Sequence, residues 1–228
     1  RVFQNSTQLF VLNSIIKDGF VFANINLNFD ASGKIKENFK IEGSVKKVET
    51  NIINKFRLKD FNFGFSISKN FFSLKQLDME LNDIKITSPL IEIKKKQNLF
   101  FVNGKFLNDN KNFDIEEFKL IFPILFNDID VQKIEFSSKN NFSFDFNDKL
   151  KFNNFKIESD INLNRLTFKK TNLNLKPYLP SFVEKIKLEG HKIAINFNKN
   201  RFDIKGGGNI LLEDKLDILS YQIIKDNK

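Results

Sequence analysis

The sequence has no cysteine and no tryptophan, a single histidine (His191), four prolines, nine glycines and only three alanines in 228 residues. Each shortage closes off a class of function. Without cysteine there is no thiol nucleophile, no disulfide framework and no Cys-ligated zinc or iron–sulfur centre. One histidine excludes multi-histidine metal sites. Long apolar runs are missing too. Stretches such as Phe71-Phe72 and Ile121 to Phe126 fall far below the ~20 residues with which a helix spans a bilayer. Poverty in alanine argues against a helical domain. What is present instead is 27 Ile, 29 Phe and 23 Leu, residues that favour strands. At 41 % apolar the chain can bury a sizeable core, and its length suits one domain or at most two.

The formal net charge is +9, from 33 Lys and 4 Arg against 28 Asp and Glu. A basic balance fits nucleic acid or an anionic membrane surface. Bidentate recognition of phosphates and bases, however, leans on Arg, which is scarce here. The sequence also carries 31 Asn, and Lys, Asn, Ile and Phe together are what AT-rich coding favours. We therefore read the lysines as solvated outer faces and expect no nucleic-acid partner. The chain opens on Arg1 rather than Met and is expected to be a piece of a longer protein, so the lack of a signal peptide decides nothing.

Periodicity separates one short helical stretch from a long β region. In Ser6 to Lys17, Leu9, Leu12 and Ile16 share one helical face, with Ser6 at the N-cap position and Gly19 at the C-cap. From Val21 onward the period is two. Val21, Ala23, Ile25, Leu27 and Phe29 alternate with mostly polar neighbours, as do Phe61, Phe63, Phe65 and Ile67, then Phe142, Phe144 and Phe146, then Ile193, Ile195 and Phe197. Such alternation marks strands with one buried and one wet face. Some runs switch parity midway: Leu74 to Leu77, Ile115 to Phe118, Phe152 to Phe155, Leu163 to Leu166. Each switch implies a bulge or a tight turn. Turn signals at Ala31-Ser32-Gly33, Asn108-Asp109-Asn110, Lys139-Asn140-Asn141 and Asn198-Lys199-Asn200 then divide the chain into about 14 strands. Pro177 to Glu184 is the one other place for a helix, limited by Pro180 to a turn or two.

Catalytic motifs are wanting. His191, in Leu188-Glu189-Gly190-His191-Lys192, reads as a turn or edge residue between two strands. The acidic pairs Glu116/Glu117 and Asp128/Asp130 sit among charges of a solvated face. No calcium-loop spacing, nucleophile elbow or phosphate loop occurs. Gly206-Gly207-Gly208 is followed by strand residues rather than a helix, and marks a bend or a place where a side chain would crowd a packed neighbour. We expect no enzyme and no cofactor. The phenylalanines admit two readings: the packed core of a sandwich, or an apolar face left open for a ligand.

Ser32-Gly33-Lys34-Ile35 through Asn38-Phe39-Lys40-Ile41-Glu42-Gly43-Ser44-Val45 resembles the hairpins of the AsmA-like superfamily, the TamB- and YhdP-type proteins of repeating β-grooves. Phe101-Val102-Asn103-Gly104-Lys105-Phe106 and Phe202 to Leu212 echo it. The nine glycines are fewer than that family usually carries. The resemblance implies an all-β fold: an elongated, curved, mostly antiparallel sheet of consecutive hairpins forming a taco-like groove, here with a short N-terminal helix. With the helical stretch read from the spacing, we expect a leading helical segment over 1–19 and a continuous β-groove over 20–228. The resemblance further implies a periplasmic protein, anchored in the inner membrane by a segment outside this chain, that carries phospholipids between inner and outer membranes. In that picture acyl chains lie against Phe61, Phe63, Phe65, Val102, Phe142, Phe144 and Phe146. The competing expectation is a closed β-sandwich, a structural or interaction module without a ligand.

Overall fold

The computed structural model describes residues 16–52, 56–82, 84–109, 115–116, 130–149, 151–169, 185–212 and 215–226. Apart from two helical residues at 115–116, every regular element among them is a strand. These are β1 (Ile16–Asn26), β2 (Lys40–Ile52), β3 (Phe56–Ser68), β4 (Phe71–Leu81), β5 (Ile84–Lys96), β6 (Leu99–Asn108), β7 (Asp130–Asn147), β8 (Phe152–Lys169), β9 (Lys185–Asn198), β10 (Arg201–Leu212) and β11 (Lys215–Asp226). All belong to one sheet in which strand order is chain order, and β1 and β11 lie at its two ends. This antiparallel meander differs from the two separate sheets of a sandwich. By packing, the chain divides into two compact units, Arg1–Lys105 with Ser143–Asn153, and Phe106–Phe142 with Asn154–Lys228.

Hairpin turns follow the polar signals in the sequence. Asn198 Oδ1 accepts from the amides of Asn200 and Arg201 at 2.9 and 3.1 Å, closing a two-residue turn between β9 and β10. In the longer β1–β2 connection, Asp30 Oδ1 accepts from Ser32 N–H, Ser32 Oγ–H and Lys34 N–H at 2.8, 2.7 and 2.9 Å. These bonds favour the ionised carboxylate, and the Ser32 hydroxyl first among them holds Asp30 below its ordinary pKa.

Two expected boundaries move. Ile16 and Lys17 begin β1, and Gly19 sits inside that strand rather than capping a helix. At φ +148°, with Val48 pressed against the place a Cβ would occupy, Gly19 serves a close strand crossing. Residues 6–15 of the expected helix lie outside the described residues, as do Pro177 to Glu184 and Phe118. The expected turn at Lys139-Asn140-Asn141 is instead the middle of the 18-residue β7. There Asn140 Nδ2–H donates to Ser138 Oγ at 2.9 Å and the Phe106 carbonyl at 3.4 Å, so its polarity is satisfied within the sheet.

Eleven strands appear among the described residues where about 14 were expected, because parity switches are bulges inside longer strands. Gln76, between Leu74 and Leu77, has φ +50°, and Asn154, between Phe152 and Phe155, has φ +52°. Lys47 at φ +53° and Asp60 at φ +47° do the same between Val45 and Val48 and between Leu58 and Phe61. Pairing shifts register at these places: between Val45 and Val48 on β2, and between Lys59 and Asn62 on β3. One extra residue reverses the alternation, so an apolar residue three positions on returns to the same side.

The left-handed region costs a residue with a Cβ about 1–2 kcal/mol. Gln76→Gly is therefore expected to raise stability in urea denaturation by about 0.5–1 kcal/mol, whereas Gln76→Ile lowers it by at least as much.

Candidate functional site

In the first unit, cross-strand pairing assembles continuous apolar rows on one side of the sheet. Ile25, Ile41, Ile67, Phe72 and Ile93 form one, each paired with the next. Ala23, Gly43, Phe65, Leu74 and Ile91 form the second, and Val21, Val45 and Phe63 the third. The other side carries Asn24, Glu42, Ser66, Ser73 and Glu92 in register. Past the bulges, Phe61 pairs with the buried Val48, and Leu58 with Leu81, keeping the apolar side apolar. Buried apolar side chains in this unit include Val48, Leu58, Leu77, Ile84, Ile91 and Val102, while Phe61, Phe63, Phe65 and Ile67 stay half-buried.

Five of the seven residues expected to line a lipid path fall into two clusters. Phe61, Phe63 and Phe65 share one side of β3, with the Phe61 and Phe63 ring centroids 4.8 Å apart. Phe144 and Phe146 on β7 pack with Phe152 at 5.6 and 5.7 Å, and Phe146 stacks on Phe100 at 4.9 Å. Val102 is buried on β6. Phe142 belongs to the second unit, where it stacks on Phe106 at 4.8 Å. Phe100, Phe106 and Phe152 were not among the residues expected to line the path, although each is a phenylalanine next to a turn signal.

The second unit repeats the arrangement. Ile157, Phe197 and Phe202 form a row across β8 to β10 that ends on Lys225 of β11, and Ser159, Ile195, Ile204 and Ile223 form a second across β8 to β11. Phe197 meets Phe202 edge-on at 6.2 Å and Phe155 at 6.0 Å. Beside them the backbone itself becomes the floor. Gly206 pairs with Ile193 and Tyr221, and Gly208 with Leu219 and the neighbourhood of His191. With no side chains on β10 there, the ring of His191 from β9 and that of Tyr221 from β11 stack across it, 5.9 Å apart.

His191 is thus neither a turn nor an edge residue. It is 1 % exposed in the middle of β9, opposite Leu163. Its Nε2 lies 2.9 Å from the Asn209 carbonyl oxygen, which can only accept, so Nε2 carries the hydrogen. Nδ1 has no hydrogen-bond partner. The sequence signal for this cluster was three consecutive glycines between the chain's one histidine and one of its two tyrosines.

Charges keep to the margins of these faces. Lys94, Lys95 and Lys96 each place Nζ over a phenylalanine, Phe71, Phe100 and Phe101, at 5.7, 5.2 and 5.9 Å. That lysine run is thereby tied to the aromatic surface rather than simply solvated. On the polar side Lys40 lies 2.9 Å from Glu42 and holds its carboxyl below the ordinary range. Shallow depressions over Gly64 and Gly207 are rimmed by Glu42 and Lys75, and by Asp160, Lys192 and Lys205. Among the described residues no three potential metal ligands cluster, and no helix is long and apolar enough to cross a membrane. The arrangement of the described residues offers apolar contact.

No family model, curated protein or solved structure matches the chain.

Two outcomes follow from the glycine floor. A Cβ on Gly43 would overlap the Phe22 carbonyl oxygen, and one on Gly208 would fall 2.7 Å from the His191 Cα, both backbone atoms. A Cβ on Gly206 meets only the outer end of the Tyr221 ring at 2.7 Å, which can swing aside. Gly43→Ala and Gly208→Ala should each cost about 1–3 kcal/mol in chemical denaturation, and Gly206→Ala clearly less. Burial also raises the Tyr221 phenol above its ordinary pKa of 10.0. The neutral phenol is the form the fold favours, so its contribution is complete below pH 10.0 and is lost as pH climbs through the raised value. Unfolding midpoints from pH 8 to 12 should fall more steeply for the native chain than for Tyr221→Phe.

Proposed function

We propose that this chain is a section of a lipid-carrying β-surface, taking phospholipid acyl chains along its apolar side and leaving headgroups at the polar margins. The observation that carries this reading is the set of cross-strand rows in the first unit, in which Ile41, Val45, Phe63, Phe65, Ile67, Phe72 and Leu74 share one side of the sheet and stay half-buried. Acyl methylenes laid along such rows leave water at about 0.8 kcal/mol each, and they complete the burial of rings the protein covers only in part. Rows that run across strands suit a long, unbranched ligand better than a compact one.

In this reading the chain works in the periplasm between the inner and outer membranes of a double-membraned bacterium, held by segments outside it. That setting comes from the AsmA-like resemblance alone, and the comparisons name no family. The apolar surface, by contrast, argues for acyl chains by its own chemistry.

The test introduces charge into the rows. Burying an unpaired carboxylate in a dry core costs several kcal/mol, whereas a surface that is wet without ligand keeps it hydrated. Native mass spectrometry is expected to find phospholipid on the native chain and none on Phe63→Asp or Phe144→Asp, whose circular dichroism spectra stay largely unchanged. Global unfolding of both variants would favour a packed module without ligand. Folded variants that retain lipid would remove these positions from the path.

A further inference from the structure

The lysines of the first unit differ in what neutralises them. On the polar side, Lys40 and Lys94 each have a carboxylate two residues along their own strand, Glu42 at 2.9 Å and Glu92 at 3.4 Å. Lys95 has none. It stands two residues beyond Ile93 on β5, so the period of two puts it on the apolar side, at the end of the run Ile91, Ile93. Its side chain is exposed, its Nζ lies 5.2 Å from the Phe100 ring centroid, and among the described residues no carboxylate pairs with it.

Local bonds hold it there. The Lys95 amide donates to the Asn70 carbonyl at 2.9 Å, which fixes this end of β5 against the turn between β3 and β4. Phe100 stacks on Phe146 at 4.9 Å, and Phe146 packs with Phe152 at 5.7 Å and with Phe144 at 6.3 Å. Phe152 is 63 % exposed. All of these residues belong to the first unit. One border of its apolar side therefore carries an ammonium without a counter-charge next to rings that the protein covers only in part.

The ring contact does not neutralise that ammonium. The face of a benzene ring attracts a cation through its quadrupole, and an ammonium has three donors, so Lys95 keeps hydrogen bonds to give to an anion. A cation that adjoins apolar rings matches a molecule whose anionic head is joined to an apolar tail. A zwitterionic head fits less well, because its own ammonium brings a second positive charge to the same place.

We propose that Lys95 and the rings of Phe100, Phe146 and Phe152 seat the head end of an anionic phospholipid, the ammonium donating to a phosphate oxygen and the rings taking the first methylenes of the acyl chains. This rests on the lipid-carrying reading and narrows its substrate class to phospholipids of net negative charge.

Native mass spectrometry of the whole chain tests it, with an equimolar mixture of phosphatidylglycerol and phosphatidylcholine of identical acyl chains. Four proteins are compared: native, Lys95→Gln, Lys95→Glu and Lys94→Gln. Both positions are exposed, so circular dichroism should be unchanged throughout. The native chain should carry phosphatidylglycerol in roughly threefold to fivefold excess, the scale of one exposed ion pair. Lys95→Gln should bring the two lipids to parity and Lys95→Glu should favour phosphatidylcholine. Lys94→Gln, altered on the other side of the same strand, should keep the native excess. Equal binding of the two lipids by the native chain, or an excess of phosphatidylcholine, overturns this inference and leaves the lipid reading standing. So does a Lys95→Gln variant that keeps the excess. A Lys94→Gln variant that loses it as fully assigns the preference to net charge and overturns the seat. A native chain that binds neither lipid removes the lipid reading, and this inference with it.

Discussion

Side chains along a strand alternate with a strict period of two, and everything else in this protein accommodates that constraint. An antiparallel sheet that buries or offers one apolar side must never lose count over strands of ten to eighteen residues. Here the count does slip, and each slip is repaired locally. Lys47, Asp60, Gln76 and Asn154 take left-handed backbone conformations, and the strand beyond each resumes with its apolar residues on the original side. These four are polar, and glycine would hold the same conformation at lower cost. Polar bulge residues leave the apolar rows free of interruption. The side-chain Oδ1 of Asn62, which accepts from the Lys47 amide at 2.9 Å, shows how the displaced backbone is satisfied without leaving the sheet.

Gly19, Gly33 and Gly190 do take positive φ, but three other glycines serve surface relief. Gly43 lies under the Phe65 ring, Gly206 under Tyr221 and Gly208 under His191. In each case an aromatic from a neighbouring strand folds down over bare backbone. The rows therefore carry rings lying along the sheet as well as side chains standing up from it. Aromatic rings that cover backbone also shield its hydrogen bonds from water, where those bonds are worth more. The same device brings the two rings of His191 and Tyr221 together from strands that do not pair with each other.

Much of this was legible in the sequence because period two is a strong signal and was written in Ile and Phe. The parity switches at Leu74/Leu77 and Phe152/Phe155 pointed to bulges, and the glycine triplet to crowding by a neighbour; both are found. What stayed hidden depends on the third dimension. Gly19 after an amphipathic stretch looks like a helix cap, and only the nearness of Val48 shows why a strand needs it. Lys139-Asn140-Asn141 has the composition of a turn, but Asn140 finds Ser138 and the Phe106 carbonyl and so remains in β7. His191 next to a glycine looks like a loop residue. The absence of side chains on β10 lets it lie flat and become buried, and no local pattern reports on a strand seventeen residues away.

Because each strand pairs only with its predecessor and successor, this sheet has the connectivity of a linear chain of links. Stability in such a system is close to a sum of terms for single hairpins and their shared borders, as in repeat proteins. Folding can begin at any hairpin and spread in either direction without waiting for a distant segment to arrive, which spares it the entropy of closing long loops. Loss or duplication of a hairpin would leave every other pairing intact. Length is thus a quantity that evolution can adjust in steps of two strands, with the bulges carried along inside each step.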